Sequence, residues 1–68
     1  MKIQITVRCP YGLLKSKVTD VTEDEFKQLQ NLIENFTTYF SFEDEDGNMV
    51  ILKEEVAKNS VFGLVKVD

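Results

Sequence analysis

One thiol stands in the sequence, in the run Cys9-Pro10-Tyr11-Gly12. A cysteine reacts as its thiolate, which forms near neutral pH where a helix N-terminus or a neighbouring cation stabilises it. A lone cysteine closes no disulfide within the chain, and without any histidine a zinc site of the usual Cys/His kind cannot be assembled. The second chemical candidate is the acidic run Asp44-Glu45-Asp46-Gly47-Asn48. Alternating oxygen-bearing side chains around a glycine can wrap a hard cation such as calcium. General acid–base work favours a group that titrates near neutrality, which is histidine's ordinary role. A carboxylate can replace it only when buried, and each Asp and Glu here falls in a turn or on a polar helix face. The three glycines are isolated, so no glycine-rich phosphate cradle is present.

Cys9-Pro10-Tyr11 resembles the C-P-Y-C active site of the glutaredoxins, which implies a reactive first cysteine opening a helix. Gly12 stands in place of the second cysteine, and Leu13 to Val18 carries no N-cap residue. Pro10 is the only proline, so that family's later substrate-binding turn has no counterpart. The residues favour a turn with an incidental thiol. The acidic run resembles part of an EF-hand loop, with Asp44 and Asp46 at ligand positions. The same alignment places Phe42 first and Lys53 last, where that loop needs acids. A hairpin turn is therefore expected. No catalytic, cofactor-binding or metal-ligating residue is assigned, no cofactor is expected, and the expected class is a protein that is not an enzyme.

The elements follow from pattern. Ile3, Ile5 and Val7 alternate with polar residues, the signature of a strand with one buried face. Pro10 and Gly12 mark a turn, and Leu13 to Val18 returns as a second strand, with Leu14 and Val18 on one face. Thr22 and Glu25 form a capping box, with Val21 and Phe26 placed as a hydrophobic staple. Phe26, Leu29, Ile33 and Phe36 recur at helical spacing, predicting a helix over 22–36. Thr37 to Glu43 reads as a strand, and Asp46-Gly47 signals a hairpin. A three-residue loop would oppose Phe42 to Val50 and Phe40 to Leu52, keeping the apolar side chains on one face. Glu54 to Lys58 can form one helical turn. Val61 to Val67 closes the chain as a strand apolar on both faces, a pattern expected centrally in a sheet or under a partner.

Residues 1–68 thus predict a single small α+β domain. Its order is ββαβββ, a mostly antiparallel five-stranded sheet with one helix packed on one face. Phe26, Leu29, Ile33 and Phe36 are expected to meet Ile3, Ile5, Val7, Phe40, Phe42, Val50, Leu52, Val65 and Val67. Leu13, Ile51, Phe62 and Leu64 are then left over, and contiguous exposed apolar groups mark association sites. These residues are the expected protein interface.

Charge divides along the chain. Residues 1–20 carry a net +3, with Lys2, Arg8, Lys15 and Lys17 forming an expected basic face, and residues 21–68 carry −7. Four cations in a chain of net charge −4 make weak nucleic-acid binding through that face a lesser alternative. The acids suggest another, an inhibitor of a host nucleic-acid protein. No segment has the length or apolarity of a signal peptide or membrane span, and a free thiol suits a reducing compartment, so a cytoplasmic location is expected. The hairpin Phe40 to Leu52 followed by Val61 to Val67 is similar to the tails of small uncharacterised proteins from phages and mobile elements of Gram-positive bacteria. It also resembles the last strands of small SH3-like barrels, from which the interposed helix departs. The phage-type resemblance implies a genomic setting and transfers no functional residue. The leading expectation is a non-catalytic protein-interaction module that associates with itself as a homo-oligomer, with no membrane partner.

Overall fold

Strand β1 (Lys2–Cys9) turns Ile3, Ile5, Val7 and Cys9 into the core and Lys2 and Arg8 to solvent, as its alternation requires. The computed structural model describes residues 1–36 and 38–67. β1 is central in an antiparallel sheet. One edge pairs with β2 (Gly12–Lys15) and then β3 (Thr19–Asp20), and the other pairs with β6 (Val61–Lys66). Pro10 and Tyr11 form the two-residue loop between paired Cys9 and Gly12, and Gly12 takes a φ of 133° there.

The second strand is not continuous. Thr6 opposes Lys15 and Ile3 opposes Thr19, so two residues of β1 face three, Ser16 to Val18. That surplus residue is a bulge, and it leaves Val18 exposed rather than beside Leu14. The bulge also turns the chain toward a second ladder. Ser16 bridges to Asp44, and the Lys17 N–H donates to the Glu43 carbonyl at 2.9 Å.

That ladder is the hairpin of β4 (Tyr39–Glu43) and β5 (Met49–Lys53), in the expected register: Phe42 opposes Val50 and Phe40 opposes Leu52. Asp44 Oδ1 accepts from the N–H groups of Asp46 and Asn48 at 3.0 and 2.8 Å, and Gly47 supplies a φ of 85°. The strand expected from Thr37 begins at Tyr39; Thr37 itself lies outside the described residues. The fold is α+β and antiparallel, but the single five-stranded sheet expected is divided at the bulge into two ladders.

Helix α1 (Glu23–Asn35) begins at the capping box, with the Glu25 N–H donating to Thr22 Oγ1 at 3.1 Å and the Thr22 N–H to Glu25 Oε1 at 2.9 Å. Leu29, Ile33 and Phe36 pack on the core. Phe36, Phe40 and Phe62 form an aromatic triangle with ring centres 5.2–5.6 Å apart. No α1 side chain is fully buried, so the helix rests on the sheet rather than sinking into it. A short helix α2 (Glu54–Lys58) buries Ala57 and links the ladders.

The face of β6 is the reverse of the expected one. Phe62 opposes Val7 and Leu64 opposes Ile5. Cross-strand partners share a face, so Phe62 and Leu64 pack inward, whereas Val65 and Val67 are exposed.

Candidate functional site: the open edge of the last strand

The residues singled out for chemistry have structural roles. Cys9 is buried at the end of β1 within the apolar core, followed by a turn rather than a helix. Several of the acids are engaged within the fold. Glu25 caps α1, Glu43 pairs with Lys17 at 3.0 Å, Asp44 holds the hairpin turn, and Glu54 pairs with Lys58 at 2.9 Å. Among the described residues no group of three or more His, Cys, Asp or Glu side chains could hold a metal ion. No helix of the described residues is long and apolar enough to cross a membrane.

The expected interface set is dispersed. Leu13 is exposed on the outer face of the β1 sheet, and Ile51 on the outer face of the β4–β5 hairpin. Phe62 and Leu64 pack against the core. They are half-buried, a consequence of β6's register, which gives the outward positions to the valines instead.

Three of the four expected basic residues share one surface. Lys2, Arg8 and Lys15 lie on the outer face of the β1 sheet, while Lys17, past the bulge, turns to Glu43. The same face carries apolar groups. Arg8 lies between Leu13 and Val61, Thr6 between Lys15 and Gly63, and Val65 beside Gln4.

The feature that residue-by-residue reading missed is a backbone one. In an antiparallel ladder, alternate residues direct both N–H and C=O to the same neighbour. The Val67 N–H donates to the Lys2 carbonyl at 2.9 Å. With the register, this sets the phase: Val61, Gly63 and Val65 direct their backbone groups to β1. Phe62, Leu64 and Lys66 direct theirs away, to an edge that pairs with no strand among the described residues. Beside that edge runs an open groove of about 370 Å³ lined by Phe26, Gln30, Ile33 and Glu34 of α1 and by Phe62, Gly63 and Leu64 of β6.

The signal was present in the sequence as the double apolar face of Val61 to Val67. Such strands are normally covered on both faces, yet Val61 is 71% exposed and Val65 44%. Natural edge strands are commonly blunted by charge, proline or a bulge. β6 has no proline and no bulge against β1, and Lys66 is its single charge. Compared with protein-family models, with curated proteins and with solved structures, the chain matches none of them.

Proposed function

We propose that this protein is a non-catalytic interaction module that takes an extended protein segment as an added strand along β6. The observation that carries this reading is the row of N–H and C=O groups at Phe62, Leu64 and Lys66, unpaired among the described residues and lying beside an apolar groove. Strand addition of this kind draws affinity from main-chain hydrogen bonds and selectivity from pockets for alternate side chains. Here Phe26 and Ile33 offer the apolar wall and Glu34 a charge at one end.

The test is selection of extended peptides from a random library against the folded chain, followed by amide exchange on the complex. Selected peptides should slow exchange at Phe62 and Leu64. Binding peptides that leave both amides unchanged would overturn the reading.

A second reading has its own observation, the placement of Lys2, Arg8 and Lys15 on one face. It predicts salt-dependent binding of a polyanion that is lost in Lys15→Glu. The apolar residues interleaved with these cations, Leu13, Val61 and Val65, favour protein over phosphate as the partner.

A further inference from the structure

We propose that the segment taken by β6 is β6 of a second copy, docked antiparallel about a two-fold axis through Gly63. The inference rests on the strand-addition reading and adds the identity of the partner.

The edge is self-complementary in this register. A two-fold axis at Gly63 sets Phe62 opposite the second copy's Leu64, and both residues direct their backbone groups to the shared edge. Each such pair exchanges two N–H···O=C bonds. On the outer face, Val61 meets the second copy's Val65, and symmetry repeats the contact on the other side of Gly63. The exposed valines thereby gain cover that nothing within the described chain provides. An axis at Leu64 would instead set Phe62 against Lys66 and Val65 against Gly63, leaving only Val61 opposite a valine, Val67.

Charge points to the same occupant. Helix α1 runs antiparallel to β6: Lys66 Nζ lies 5.8 Å from the centre of the Phe26 ring, and Phe36 lies 5.6 Å from Phe62. Glu34 lines the groove and lies in the last turn of the helix, hence at the Phe62 end. The two-fold operation sends the second copy's Lys66 to that end, toward Glu34. Two cation–carboxylate approaches result. β6 itself contains no acid, so in two chains of net charge −4 the paired strands oppose no carboxylates. An isologous contact of this kind closes at two copies rather than growing into a fibre.

Sedimentation equilibrium over a concentration series tests the inference. The wild-type chain should pass from one to two chain masses. Val61→Glu/Val65→Glu sets like charges opposite each other in both symmetric pairs and should raise the dimer dissociation constant by roughly an order of magnitude. Val61→Glu/Val65→Lys sets opposite charges there and should keep the dimer. Both variants alter exposed side chains, and circular dichroism confirms that each folds. A wild-type chain that remains monomeric, or two variants that behave alike, would overturn the second copy or its register. Peptide-induced protection of Phe62 and Leu64 in a strictly monomeric chain would still uphold strand addition, so the two failures are distinguishable.

Discussion

Replacing Ser16 with alanine should cost more stability than the loss of one surface hydroxyl suggests. Ser16 is 6% exposed and sits where the bulge leaves β1. In an unbroken ladder the Ile5 N–H would donate to the Ser16 carbonyl. Here that carbonyl accepts from Gln4 Nε2 at 2.8 Å, and the Ile5 N–H donates to Ser16 Oγ at 2.8 Å instead. The hydroxyl in turn donates to the Lys17 carbonyl at 3.0 Å. Alanine leaves a buried backbone donor with no partner. An orphaned buried group costs about 1–3 kcal/mol. A domain of this size melts about 4–8 °C lower for each kcal/mol lost, so Ser16→Ala should lower Tm by about 4–24 °C. Small cores rarely supply more than about 3–5 kcal/mol, so the variant approaches the limit of folding. Thermal melting followed by circular dichroism measures the shift, with Ser16→Thr as the variant that retains the hydroxyl. A Ser16→Ala melt within about 2 °C of wild type would refute the reasoning, because it would mean that Ile5 finds another acceptor or opens to water without cost.

Gly63→Ala should also destabilise the fold, because a Cβ there would stand 2.6 Å from Thr6 Oγ1 across the ladder. Overpacking of this kind costs about 1–3 kcal/mol. Chemical denaturation should show the loss, and Thr6→Ala in the same chain should recover most of it. If Gly63→Ala alone is neutral, the close packing of Thr6 on β6 is misjudged. Glu34→Lys and Lys66→Glu should each weaken self-association, and the double exchange should restore it. Sedimentation of the three variants reads the cycle, and additive losses in the double variant would contradict the cross-dimer pairing.

Local chemistry was legible in the residues and tertiary competition was not. The capping box of Thr22 and Glu25 acts within four residues, so the start of α1 could be read directly. The β4–β5 register was legible because only one loop length keeps Phe40, Phe42, Val50 and Leu52 on one face. The bulge at Ser16 to Val18 was not, since it depends on Gln4 and Glu43, both distant in sequence. The inward face of β6 was also hidden. With Val61, Val65 and Val67 on one side and Phe62 and Leu64 on the other, alternation does not say which side is buried. Pairing with β1 decides it. The same ambiguity concealed the edge: a nearly apolar strand was expected centrally in a sheet or under a partner and is found at the sheet's border, the position on which the proposed binding role rests.

Residue-resolved amide exchange along β6 examines that border most directly. In dilute solution, the amides of Gly63 and Val65 should be protected by their bonds to β1 while those of Phe62 and Leu64 exchange rapidly. Concentrating the protein should then slow Phe62 and Leu64 until the alternation disappears. Phe62 and Leu64 already protected at high dilution would show that the chain covers its own edge, leaving no place for a partner strand.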